Sequence, residues 1–264
     1  MASVAEASVA AAQAADSEVL MSDDKQDPTL ADMTNRLVAS AGDRLAAVIL
    51  YGPAAHGDIY KDKGTSNLLI VVRDLELGTL ARLSEPVNRW VKKGHPVPRI
   101  FSKELLEAAA DVFPIEILDI SSHHVILHGE SPFGNVDVQP DHLRLQCERE
   151  LREKMLRLRE AYVEAAGHDK ELRRLLLHSY PAFVLIFRGC LRFMGQAVPV
   201  HNLEVVRALC QTFGLPPDPL ERVEAMEHGE NPENNHTLFV QYYDLLTQIV
   251  KRVDELVTKG DKTS

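Results

Sequence analysis

The sequence has little of several features that mark large classes of protein. It carries three cysteines among 264 residues, too few for a disulfide-stapled scaffold. Its strongly apolar runs, such as residues 183–187, are far too short to span a bilayer. Basic residues number 29 against 39 acidic ones, a net charge of −10, so any polyanion would need a local basic patch. We therefore expect a globular protein without a membrane or nucleic-acid partner.

The three cysteines, Cys147, Cys190 and Cys210, are far apart and show no Cys-x-x-Cys spacing. Each lies among leucines in a stretch with helical periodicity, which favours small buried thiols over metal ligands. Free thiols persist in a reducing compartment, and the sequence therefore predicts a cytoplasmic location.

The chain divides into three parts by composition. Residues 1–30 are rich in Ala, Ser and acid and are expected to form a disordered tail. Residues 31–135 alternate short apolar runs with turns, which is typical of strands and intervening helices. From residue 136 to residue 260 the apolar period is helical, with Pro181 expected to kink the second helix of this part. This order predicts an α+β fold in which a mixed sheet with flanking helices precedes an α-helical bundle.

One segment carries a motif. Residues 50–72 read LYGPAAHGDIYKDKGTSNLLIVV: an apolar strand ends at Gly52, Gly57 and Asp58 follow in a polar loop, and a second apolar strand follows the loop. This order resembles the signature of the DNA polymerase β-like nucleotidyltransferase superfamily. In that signature Gly-Ser, a small residue and Arg-Gly-Asp precede an Asp-x-Asp pair that opens the next strand.

The resemblance implies a nucleotidyltransferase fold for residues 31–135. The helical part that follows is similar to that of the aminoglycoside nucleotidyltransferase branch. That branch has a third carboxylate on a Pro-x-Glu strand, and residues 113–120, whose apolar positions alternate, are expected to form that strand with Glu116 on one face and Asp119 on the other. The family's chemistry uses two Mg²⁺ ions held by carboxylates to displace pyrophosphate from a nucleoside triphosphate. The third carboxylate either completes a metal site or acts as base on the acceptor hydroxyl.

The motif departs from the family pattern at its reactive positions. Thr65, Ser66 and Asn67 stand where Asp-x-Asp is expected, and Pro53 replaces the serine that would offer a hydroxyl to the phosphates. His56 stands in place of arginine. A hydroxyl and an amide bring no negative charge to offset the dehydration of Mg²⁺. The sequence therefore predicts a degenerate site on a retained scaffold.

The resemblance still assigns roles to this chain's residues. The catalytic candidates are Glu116 and Asp58, and the candidate metal ligands are Glu116 and Asn67. The positions expected to contact a nucleotide are Gly52, Pro53, Thr65 and Asn67. A nucleotide or small-molecule ligand is expected in the interdomain cleft.

Three functions stay open from the sequence. The first is a nucleotidyltransferase-like protein that has lost catalysis and needs no cofactor. The second is an active enzyme that uses Mg²⁺ and a nucleoside triphosphate to modify a hydroxyl, with Asp58 or Asp62 recruited from the loop. The third is a binding module, which either senses a nucleotide or forms a homodimer or holds a protein partner through the helical bundle.

Other candidate groups have simpler explanations. Glu116 could be an exposed acid without a role. His123, His124 and His128 with Glu130 could bind a transition metal, although surface or packing histidines are the commoner case. Opposite charges at four-residue spacing on the first bundle helix, such as Glu148 with Arg152, are typical of a solvated face, and the alternative is a phosphate-binding surface.

Overall fold

A computed structural model describes residues 28–56, 66–230 and 234–260. The described residues up to Val138 form one compact unit, and those from Gln139 onward form another. We call these the sheet unit and the helical unit. The sheet unit contains both strands and helices and the helical unit contains helices, so the chain is α+β, as the sequence predicts.

The sheet unit alternates helices with short strands. In chain order its elements are α1 (Pro28–Ala41), β1 (Leu45–Tyr51), a 3-10 turn (Pro53–His56), β2 (Asn67–Val72), α2 (Leu77–Lys92), β3 (Arg99–Ser102), α3 (Lys103–Val112), α4 (Pro114–Ser122) and β4 (His124–Gly129). The described strands lie in the order β3-β2-β1-β4, with β1 antiparallel to β2 and β4, and β2 parallel to β3. The predicted pair of adjacent strands around the polar loop is confirmed.

The two faces of the sheet are covered in different ways. Val48 of β1 with Leu68 and Ile70 of β2 belongs to a buried cluster that also contains Leu37 of α1 and Trp90 of α2. Because side chains alternate along a strand, the neighbouring residues of β1 and β2 point to the opposite face. That opposite face is apolar and buried along most of β1 and β2, and it becomes polar where β1 ends and β2 begins.

The prediction of a strand over residues 113–120 is wrong. This segment forms helix α4, which begins at Pro114, and the next strand begins only at His124. Proline is favoured in the first helical turn because its missing N–H has no intrahelical acceptor there. Buried Pro114, Ile117 and Ile120 follow a three-residue spacing, which the alternating pattern of so short a segment concealed.

The helical unit follows the predicted order of helices. Its elements are α5 (Pro140–Ala165), α6 (Asp169–Phe193), α7 (Asn202–Phe213), α8 (Asp218–Glu227) and α9 (Asn235–Gly260). Helix α5 buries Cys147, Leu151, Met155 and Leu158, whose spacing of three or four residues places them on one face. Helix α6 continues through Pro181.

The cysteine prediction is confirmed, because Cys147, Cys190 and Cys210 are fully buried thiols and not part of a disulfide. Within the part of the chain that the structure describes, no helix has the combined length and apolar character needed to cross a bilayer.

Candidate functional site

A row of polar side chains crosses the end of the sheet. Tyr51, the last residue of β1, is paired with Asn67 on β2 and with His124 on β4. Arg99 at the start of β3 is paired with Leu69, two residues after Asn67, and so lies on the same face. We call Tyr51, Asn67, Arg99 and His124 the polar row. Arg99 is exposed and the other three are partly buried, so solvent reaches the row.

Gly52 lies beside Asn67, because Tyr51, which precedes Gly52, is paired with Asn67 on β2. Gly52 has φ of +76°, and a Cβ atom on it would lie 2.9 Å from Nδ2 of Asn67. The carbonyl of Gly52 accepts a hydrogen bond of 2.9 Å from the Ala55 N–H, which closes the 3-10 turn. A glycine is needed here because the left-handed backbone and the close amide both disfavour a side chain.

The start of β2 is fixed by a buried aromatic pair. The Ser66 N–H donates to Nδ1 of His95 at 3.2 Å, and the His95 ring stacks on Trp90 with 3.7 Å between ring centroids. Trp90 in turn donates from Nε1 to the Pro96 carbonyl at 3.0 Å. These contacts hold Ser66, and therefore the neighbouring Asn67, at a defined place relative to Gly52.

Of the charged residues that the structure describes, Arg99 is the one that acts most strongly on the Tyr51 hydroxyl. Burial raises the pKa of Tyr51, while the charge of Arg99 and its hydrogen bond to the Tyr51 hydroxyl act to lower it. The carboxylate of Asp119 also acts on the pKa of Tyr51, raising it, but less strongly than Arg99 acts on it. The positive charge of Arg99 therefore acts on the Tyr51 hydroxyl more strongly than the carboxylate of Asp119 does.

His124 closes the row on the β4 side. Its Nδ1 lies 3.1 Å from the Ser121 carbonyl and must carry the proton, because a carbonyl oxygen only accepts. Its ring meets Phe133 edge-on, with 5.0 Å between centroids. The hydrogen bond and the aromatic contact together orient the ring.

The acids of this region lie on a helix and not on a strand. Glu116 and Asp119 are partly buried on α4, and a spacing of three residues puts them on one side of it. The expectation that they occupy opposite faces of a strand is therefore wrong. None of the four described strands carries an aspartate or a glutamate.

The predicted site residues are brought together only in part. Gly52 and Asn67 lie side by side, Pro53 begins the 3-10 turn, and Asp58 and Thr65 lie outside the described residues. Sequence analysis missed two members of the row. Tyr51 immediately precedes the motif glycine, whereas Arg99 belongs to β3, whose pairing to β2 has no signal in the sequence.

The described residues contain no group of three or more His, Cys, Asp or Glu side chains arranged to hold a metal ion. His124 and His128 both belong to β4. The assignment of Asn67 and Glu116 as Mg²⁺ ligands stays a prediction.

Comparison with known proteins does not assign the chain to a family. No family model matches the chain, and a search of curated proteins finds no significant match. The interpretation of the site therefore depends on its own residues and geometry.

Proposed function

We propose that the protein is a cytoplasmic, nucleotidyltransferase-like protein that binds a nucleotide through the sheet unit without transferring a nucleotidyl group. The observation that carries this proposal is the absence of carboxylates from the described strands, combined with the position of Gly52 beside Asn67. The element order of strand, short turn and strand supports the resemblance of residues 50–72 to the superfamily signature.

Loss of the strand acids removes the usual chemistry. Two Mg²⁺ ions stabilise in-line displacement of pyrophosphate by clamping the attacking and leaving oxygens. Each ion needs several oxygen ligands in near-octahedral geometry, and strand carboxylates supply these with fixed direction. Asn67 offers a single neutral oxygen, and its neighbours Tyr51 and Arg99 on the flanking strands bring a hydroxyl and a positive charge. This set does not favour a divalent cation.

One observation favours a second candidate, an active Mg²⁺-dependent enzyme. Glu116 and Asp119 lie one turn apart on α4, and the charge of Asp119 reaches Tyr51 of the polar row. A pair of carboxylates at this spacing can bind one Mg²⁺ ion or act as base on an acceptor hydroxyl. In this alternative α4 supplies the acids that the strands lack.

A turnover assay separates the two candidates. The full chain is incubated with each nucleoside triphosphate and Mg²⁺ in the presence of small hydroxyl acceptors, and released pyrophosphate is measured. We expect no release above the protein-free control. Sustained release that is abolished in Glu116→Gln and Asp119→Asn, but not in the control Glu107→Gln on α3, where Glu107 is partly buried as they are, would refute the proposal and establish the enzyme.

A further inference from the structure

The polar row has the composition of an anion site. At the place where the resemblance calls for metal-binding acids, the strands present an amide, a hydroxyl and a guanidinium. The guanidinium of Arg99 brings several N–H donors and no acceptor, and it stays charged at every physiological pH. Asn67 has its amide nitrogen, not its oxygen, against Gly52. Hydrogen-bond donors and a fixed cation are the groups that bind phosphate oxygens.

The polar row is accessible to solvent, and the guanidinium of Arg99 keeps hydrogen-bond donors for a ligand. Arg99 is exposed, and its hydrogen bond to the Tyr51 hydroxyl leaves other guanidinium donors for a ligand. Among the described residues, the carboxylate of Asp119 also acts on Tyr51, and its effect there is weaker than that of Arg99. At the Tyr51 hydroxyl the positive charge of Arg99 therefore has the larger effect, in a chain whose net charge is −10.

We infer that the polar row binds the phosphates of a nucleotide without a metal ion, with the guanidinium of Arg99 taking the place of Mg²⁺. This inference rests on the proposed function and specifies its ligand chemistry, a polyphosphate in its metal-free form. Excess Mg²⁺ competes with Arg99 for the same phosphate oxygens and so does not strengthen binding. The nucleoside part contributes less than the phosphates to affinity.

Isothermal titration calorimetry of the full chain tests the inference. The probes are ATP, inorganic pyrophosphate and adenosine, each titrated in EDTA and again in excess MgCl₂. We expect ATP and pyrophosphate to bind in EDTA, no gain with MgCl₂, and much weaker binding of adenosine. Arg99→Gln should weaken ATP binding about tenfold or more, because charged hydrogen bonds to the phosphates are lost.

Two further variants make the test specific. Arg82→Gln removes an exposed arginine from α2, the helix whose Leu83 and Trp90 pack on the other face of the sheet, and should bind as wild type does. Asn67→Asp introduces a carboxylate of the same shape into the row. It should weaken binding in EDTA and make binding depend on Mg²⁺. Fluorescence of Trp90, the single tryptophan, verifies that each variant is folded.

The inference is overturned if wild-type binding requires Mg²⁺, if neither anion binds in EDTA, or if Arg99→Gln and Arg82→Gln behave alike. Adenosine binding as tight as that of ATP would also overturn it. Pyrophosphate release in the turnover assay refutes the proposed function, whereas Mg²⁺-dependent ATP binding without turnover refutes this inference alone.

Discussion

Two arginines show how differently the two units use polar groups. Arg99 in the polar row of the sheet unit is exposed. Arg188 on α6 of the helical unit is only 6% exposed and donates to the carbonyls of Pro199 and Val200 at 2.7 and 2.6 Å. A third bond of 3.0 Å joins Arg188 to Oδ1 of Asn202. The same side chain fixes a loop in one unit and stays available to solvent in the other.

The burial of an arginine decides whether its side chain serves the stability of the fold or is available to bind a ligand. A buried charge is tolerated only where its hydrogen bonds are satisfied within the fold, so Arg188 is committed to the connection between α6 and α7. An exposed charge at the end of a sheet is solvated by water and does not need hydrogen bonds within the fold. It can therefore be substituted with little loss of unfolding free energy. Substitutions of buried groups should therefore affect folding, and substitutions in the polar row should affect ligand binding.

The largest effect is expected for Arg188→Met. The variant keeps an apolar stem of similar length but leaves three acceptors without their donor, and we expect it to lose about 3 kcal/mol of unfolding free energy. Urea denaturation followed by far-UV circular dichroism measures the change. Arg174→Met, at a side chain that is 81% exposed and pairs with Glu171, should change stability by less than about 0.5 kcal/mol. Equal losses of unfolding free energy in Arg188→Met and Arg174→Met would contradict the distinction between a buried structural arginine and an exposed one.

The second-largest effect is expected for His95→Ala, which tests the contacts that hold the start of β2. His95→Ala removes the ring stacked on Trp90 and the acceptor of the buried Ser66 N–H. We expect a loss of about 2 kcal/mol, since an aromatic contact and a buried hydrogen bond are lost together. Trp90 fluorescence during urea denaturation reports the transition. Thr212→Ala, which removes an exposed hydroxyl on α7, is the matched surface control. Unchanged stability in His95→Ala would mean that this pair does not hold the start of β2.

The fold is largely predictable, because period and composition are local signals. Buried strands β1 and β2 are continuous apolar runs, and the seam of α5 repeats over several turns, so both are evident in the sequence. Helix α4 is not evident in the sequence, because the isoleucines of its nine residues fit both the two-residue period of a strand and the period of a helix. Pro114 at the first helical position is the signal that could have identified the segment as a helix.

The candidate site is predictable only where the motif is contiguous. Gly52 and Asn67 are named by the motif, and a Cβ atom on Gly52 would meet the Asn67 amide; their role as site residues stays a prediction. Arg99 could not be found, because its place beside Asn67 depends on the parallel pairing of β2 with β3. That pairing joins strands separated by the whole of α2, and no local pattern specifies it.

A smaller effect is expected for Gly52→Ala, which tests the contact at the centre of the site. The left-handed φ of +76° and the amide nitrogen of Asn67, which would lie 2.9 Å from the new Cβ atom, should together cost about 1 to 2 kcal/mol. Gly78→Ala is the control, because a Cβ there meets nothing within 4 Å and alanine favours its helix. Trp90 fluorescence during urea denaturation measures both. Stability equal in the two variants would show that Gly52 tolerates a side chain.

The smallest effect is expected from Cys210 in the helical unit, whose thiol serves as a small packing group. Burial raises the pKa of Cys210 from 9.0 to about 11, with the charge of Glu221 adding to the shift. Below pH 9 the thiol is protonated in both states. Between pH 9 and 11 the unfolded chain loses its proton first, so stability falls as pH rises.

Urea midpoints of wild type and Cys210→Ala at pH 8 and pH 10 measure this contribution. The difference between the proteins should narrow by about 1 kcal/mol at the higher pH, because alanine carries no proton to lose. Tyr180 and Tyr242, whose pKa values burial also raises, are present in both proteins, and their contributions cancel in the comparison. A pH-independent difference would show that the thiol is not protected from solvent, and the contrast between a closed helical interior and an open polar row would then lose one of its supports.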